Sequence, residues 1–99
     1  MTEQAMMLIM HSGSARSFAM EAISEAKENK FEDAHNLIKE CEKEVVSAHK
    51  IQTELIQSEA RGDKHELTLL MVHAQDHLMT TLVVKDMAQE FIELYEKLV

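Results

Sequence analysis

From Ala34 to Leu55 the positions Ala34, Ile38, Cys41, Val45, Ala48, Gln52 and Leu55 recur at alternating steps of three and four, and only Gln52 is polar. Residues at that spacing share one face of a helix. Glu40, Glu42, Lys43, Glu44, Lys50 and Glu54 fall mostly outside the row, on the solvent side. The pattern predicts a helix from about Glu32 to Arg61 that stops at Gly62, the residue type that most often follows a helix end. A first helix is expected from about Glu3 to Glu28, with Thr2 as its N-cap and Asn29-Lys30 as its end, since Asn tolerates the left-handed conformation. A third is expected from about Lys64 to Leu98, with Asp63 as N-cap and Glu66 completing a capping box, and with a length of roughly 50 Å. Short connections force neighbouring helices antiparallel. The expected fold is therefore all-α: an antiparallel, up-down-up three-helix bundle.

The third helix breaks the amphipathic rule. Leu67, Leu69, Leu70, Met71, Val72, Ala74, Leu78, Met79, Leu82, Val83 and Val84 cover nearly its whole circumference. A helix apolar all round is buried all round, and two partner helices cannot cover it. The same helix from other copies is the simplest cover. Leu69, Val72, Asp76, Met79 and Val83 have the three-and-four spacing of a coiled-coil seam, with a carboxylate in the middle. On a self-associating seam, copies of Asp76 face one another and either share protons or hold a cation. Three carboxylates on a threefold axis suit a hard ion such as Mg²⁺. The alternative is an Asp76 that faces solvent or a neighbouring Lys.

Composition supports the helical reading. The 99 residues include no proline and two glycines, Gly13 and Gly62, whereas sheet proteins spend many such residues on turns. The net charge of −8 argues against nucleic acid and anionic membrane surfaces, both of which call for Lys and Arg. It permits docking to basic partners. The single cysteine, Cys41, excludes an intrachain disulfide and suits a reducing cytoplasm. Cys41 itself reads as core packing. No basic n-region precedes a cleavage site at Met1-Thr2-Glu3-Gln4, and the longest apolar run, Ala5 to Met10, is too short to span a bilayer. A cytoplasmic location is the expectation.

His73, Asp76, His77 and Thr80 form one polar stripe on the apolar third helix. Three chemistries fit. Two histidines four apart on a helix bind zinc, but the zincin pattern wants a glutamate after the first, where Ala74 stands. A neutral imidazole accepts a phosphoryl group and gives it up again. Histidines also serve as hydrogen-bonded packing between helices, and on the residues alone this last case leads. His11, His35 and His65 sit at surface or boundary positions and receive no role, and His49, beside the second helix's apolar row, reads as structural. Ser12-Gly13-Ser14-Ala15 marks a close helix approach.

The run Val72-His73-Ala74-Gln75-Asp76-His77-Leu78-Met79-Thr80 changes that ranking. It resembles the IIA component of the lactose/cellobiose (diacetylchitobiose) family of the bacterial phosphoenolpyruvate-dependent sugar phosphotransferase system. Ser12-Gly13-Ser14-Ala15-Arg16-Ser17, Ala48-His49-Lys50-Ile51-Gln52-Thr53-Glu54-Leu55-Ile56 and Ile92-Glu93-Leu94-Tyr95-Glu96-Lys97 are similar to the same family and span nearly the whole chain, so residues 1–99 are expected to be one IIA domain. The resemblance implies a homotrimer of three-helix protomers. It implies that His73 accepts phosphate, at Nε2, from the phosphohistidine of HPr and passes it to a cysteine of the cognate IIB protein, driving uptake of a β-linked disaccharide such as cellobiose, diacetylchitobiose or lactose. It implies that Asp76 holds a metal ion on the threefold axis. Gln75 and His77 become neighbours of the site with no assigned step. The chief alternative is a non-catalytic trimeric module stabilised by that metal. Two departures touch local geometry only: an N-terminus shorter than in some members, and a first turn, Asn29-Lys30, without the glycine expected there.

Overall fold

The computed structural model describes residues 2–99 and consists of three helices, α1 (Thr2–Lys27), α2 (Phe31–Ala60) and α3 (Leu69–Lys97). They form a rod of 53 × 20 × 15 Å. α1 packs along both partners, while α2 and α3 meet over a much smaller area. The reason lies in the inner row of α1: Ala5, Leu8, Ser12, Ala15, Ala19, Ala22 and Ala26 are all buried. Small side chains let α2 and α3 approach the α1 backbone closely, which gives dense packing without large residues.

The core has two parts. Toward the start of α1, Ala5 and Leu8 pack with Ala48 of α2 and Met71, Ala74 and Leu78 of α3. Toward its end, Ala15 to Ala26 pack with Ile38, Cys41 and Val45 of α2 and Ala88 and Ile92 of α3. Leu82 joins both. The α2 residues named are those of the predicted apolar row. Where the halves meet, the buried Thr81 hydroxyl donates to the Ser12 carbonyl over 3.1 Å, fixing α1 and α3 in parallel register.

Both predicted helix ends form as expected. After α1, Asn29 adopts φ 61°, its N–H donates to the Ala26 carbonyl, and the Lys30 N–H donates to the Glu25 carbonyl. After α2, Gly62 adopts φ 97°, its N–H donates to the Glu59 carbonyl, and the Asp63 N–H donates to the Ser58 carbonyl. Each pair of bonds is a Schellman motif. Asn29 thus does the work of the missing glycine in the first turn.

The helix starts need correction. α1 already includes Thr2, so Thr2 is not its N-cap. α3 begins at Leu69 rather than Lys64, and residues 63–68 are non-helical. Thr68 is the N-cap, its hydroxyl accepting from the Met71 N–H at 3.1 Å. Asp63 is unavailable for capping because its carboxylate accepts from the Ser58 hydroxyl at 2.9 Å, with the Arg61 guanidinium 3.8 Å away. α3 packs chiefly on α1 rather than on α2, so the connection must cross the end of the bundle. A two-residue turn cannot do so.

The seam residues of α3 are exposed in the single chain: Leu69 by 86%, Val72 by 48%, Met79 by 52% and Val83 by 61%. Met87 and Leu94 continue the same face. The bundle thus leaves a full-length apolar face uncovered, as the all-round pattern of α3 required.

Candidate functional site

α3 carries the site because one turn of helix separates His73 from His77. Their rings meet edge to face, with centroids 4.5 Å apart and planes at 90°. The two Nε2 atoms lie 3.2 Å apart, so one ring donates a proton to the other. His73 is exposed and His77 half-buried. Ala74 and Leu78, their fully buried neighbours in sequence, anchor this turn in the core, so both imidazoles stand on rigid backbone.

The other polar residues of this segment separate. Thr80 turns its hydroxyl back onto the helix, donating to the Asp76 carbonyl (2.9 Å) or the His77 carbonyl (3.2 Å). Gln75 faces α2, where its side-chain oxygen accepts from Gln52 Nε2 at 2.7 Å. Gln52, the one polar residue in the α2 row, is thereby satisfied, and it also lies 3.8 Å from the Met79 sulfur. Asp76 is exposed in the middle of the uncovered apolar face, with no cation within ion-pair distance among the described residues. An unpaired carboxylate on a surface otherwise fit for burial suits a divalent cation shared between copies. Within one chain no three His, Cys, Asp or Glu side chains converge on a common point among the described residues.

Three histidines without a sequence-based role tie the bundle together. His11 Nδ1 donates to Glu44 at 2.6 Å, linking α1 to α2. His35 Nε2 donates to Glu96 at 3.3 Å, linking α2 to α3. His65 Nε2 lies 2.8 Å from the Ser58 hydroxyl, which bonds Asp63 as well. The first two pairs cross sequence separations that no single-helix pattern reveals. His49 is exposed. A cleft of about 630 Å³ between the end of α2 and segment 63–68 is lined by Leu55, Ile56, His65, Leu67, Met71 and Gln75, and neither His73 nor His77 borders it. The exposed His73 imidazole lies outside that cleft, an arrangement suited to a protein-sized partner rather than an enclosed small molecule.

Residues 3–96 match the family model for the lactose/cellobiose-specific IIA subunit of the phosphotransferase system. The chain belongs to this IIA family. Similar proteins include the lichenan-specific phosphotransferase enzyme IIA component of Bacillus subtilis strain 168, at 57% identity over 92% of this chain and 83% of the relative. Among solved structures, the cellobiose-specific enzyme IIA of Bacillus anthracis superposes with a TM-score of 0.95, at 51% identity over 97% of this chain and 88% of that one. The IIA(chitobiose)–HPr complex of Escherichia coli contains a chain that superposes with a TM-score of 0.84, at 41% identity over 97% of this chain and 93% of that one. The three-helix IIA fold expected from the sequence is thus the fold observed. IIA components are phosphotransfer proteins, and in this IIA chain no helix is long and apolar enough to cross a membrane among the described residues.

Proposed function

We propose that this IIA chain is a phosphocarrier that receives a phosphoryl group on His73 from phospho-HPr and hands it to a cysteine of the cognate IIB protein. The observation that carries the reading is the solvent-facing His73 imidazole, held on rigid helix, in a chain of the IIA family. A relative captured with HPr supports the donor. In the transfer the lone pair of His73 Nε2 forms a bond to phosphorus while the donor's N–P bond breaks and its electron pair stays on the donor ring. The proton on the other nitrogen of His73 leaves through solvent, and the donor ring regains one. Transfer onward repeats the exchange with a thiolate as nucleophile. The protein contributes positioning and electrostatics.

The same reading makes the chain a homotrimer, its α3 seams packed on a threefold axis. Asp76 from each copy would hold a divalent cation, Mg²⁺ by its preference for oxygen ligands. When bound, that ion neutralises carboxylates that would otherwise repel at the interface. The cargo is a β-linked sugar such as cellobiose, diacetylchitobiose or lactose, in keeping with relatives named for lichenan, lactose and diacetylchitobiose. The test is intact mass before and after incubation with phosphoenolpyruvate, the system's first enzyme and HPr. Wild type should gain one acid-labile phosphoryl group and His73→Gln none. An unchanged wild-type mass with working controls would refute the assignment.

A further inference from the structure

We propose that His77 is a positioning residue for His73 with two settings: it caps the Nε2 atom of the empty ring, and it turns to hold the phosphoryl group once that atom is loaded. This rests on the phosphocarrier reading and deepens it. The starting observation is the pair of Nε2 atoms 3.2 Å apart, with ring planes at 90°. At that separation a single proton lies between them, because two bare lone pairs or two N–H groups would repel. When His77 donates, His73 keeps its own proton on Nδ1 and a lone pair on Nε2. That is the tautomer attack from Nε2 requires.

The reaction adds a second requirement. The new N–P bond forms along the in-plane direction of the Nε2 lone pair, and with the ring centroids 4.5 Å apart and the Nε2 atoms 3.2 Å apart the His77 ring stands to one side of that direction rather than end-on to it. The approach to Nε2 is therefore open to phosphorus, and a small turn of the His77 ring carries its N–H from the nitrogen to the incoming group. Among the described residues its only side-chain hydrogen bond is the one to His73. Once turned, its Nε2–H has lost the lone pair it served and meets phosphoryl oxygens, which are stronger acceptors. His77 thus exchanges one acceptor for another, and neither gains nor loses a proton. No other polar side chain beside the pair can do this. The Thr80 hydroxyl is committed to the backbone, the Gln75 side chain is on the α2 side, and an ionised Asp76 has no proton to donate.

The experiment compares wild type, His77→Gln and His77→Ala, each checked for helix content and assembled mass. Loading by phospho-HPr is followed for kcat and KM, hydrolysis of the loaded form is timed, and ¹⁵N and ³¹P resonances report the ring tautomer and the phosphorylated nitrogen. A hydrogen bond to a charged group is worth about tenfold to a hundredfold in such rates. His77→Ala is expected to lower kcat within that range, leave KM within about twofold, mix the His73 tautomers and shorten the life of the loaded form. His77→Gln, which keeps a neutral N–H donor, should restore most of each effect. The proposal is overturned if His77→Ala loads and keeps phosphate like wild type, if Gln does no better than Ala, or if the phosphoryl group sits on Nδ1. A wild type that never loads overturns the phosphocarrier reading itself, a result distinct from these.

Discussion

The uncovered face of α3 invites a sharp test, the replacement of Val83 by Asp. In the isolated chain Val83 is 61% exposed, much like Met10 at 57% on the outer side of α1. If the protein acted as a monomer, an acidic residue at either position would be nearly neutral, within about 0.5 kcal/mol. If α3 packs against two copies of itself, the two positions part company. Complete burial of a Val or Met side chain is worth about 1.5–3 kcal/mol, so the still-exposed part of Val83 contributes about 1–2 kcal/mol per copy and about 3–6 kcal/mol per trimer. Loss of that alone weakens trimer formation by about a hundredfold to ten-thousandfold. Three new carboxylates about two turns from three copies of Asp76 add repulsion in a poorly solvated place. Sedimentation equilibrium across a dilution series reads the result. Wild type and Met10→Asp should keep three chain masses to low concentration, while Val83→Asp should fall to one. A Val83→Asp variant that assembles like wild type, or a wild type that is monomeric throughout, would sink the seam assignment.

Other outcomes follow from the same geometry. Leu78 is fully buried beside Ala74 beneath the histidine pair; Leu78→Ala should cost about 2–5 kcal/mol in urea denaturation, and a loss below about 1 kcal/mol would show that the site turn is not anchored as described. Chelation should lower the melting temperature of wild type by a few degrees but leave Asp76→Leu unmoved, since the variant has no carboxylates to neutralise; equal responses would remove Asp76 as the metal ligand. Burial raises the Cys41 thiol above its ordinary value of 9.0, with Glu42 pushing the same way and Lys85 opposing. The unfolded thiol therefore ionises first, so stability should fall as pH rises past 9.0 until the native thiol also ionises. Cys41→Ala should lack that component of the slope, and an unchanged slope would locate the alkaline transition elsewhere. At the first turn Asn29→Gly should be tolerated, whereas Asn29→Val should cost about 1–2 kcal/mol because a β-branched residue resists positive φ; equal melting curves would refute that reading of the turn.

The sequence shows the helix ends more clearly than the helix starts, for a physical reason. A left-handed C′ residue must be Gly or something close to it, and a chain with two glycines offers few choices, so Gly62 and Asn29 stand out. N-caps are less exclusive. Asp63 and Thr68 both have the chemistry, and the choice between them is made by what each side chain meets in the fold. Ser58 and Arg61 claim the Asp63 carboxylate, and α3 must cross the bundle end before it can pack on α1. The same distinction runs through the site. His73 and His77 share a helix face by spacing alone, and Asp76 falls in the seam by spacing alone. Gln75 is next to Asp76 and two residues from each histidine, yet it belongs to the α2 interface, because its partner Gln52 is supplied by the register between two antiparallel helices. That register also explains why the α2 row contains a polar residue at all: replaced by Leu, Gln52 would leave the Gln75 amide half-buried without its partner. What a helical pattern conveys is which residues share a face. Which of them share a task depends on what the opposite helix presents. His77 differs from Gln75 in facing no such partner on another helix among the described residues, so the only hydrogen bond of its side chain is to the residue whose chemistry it can serve.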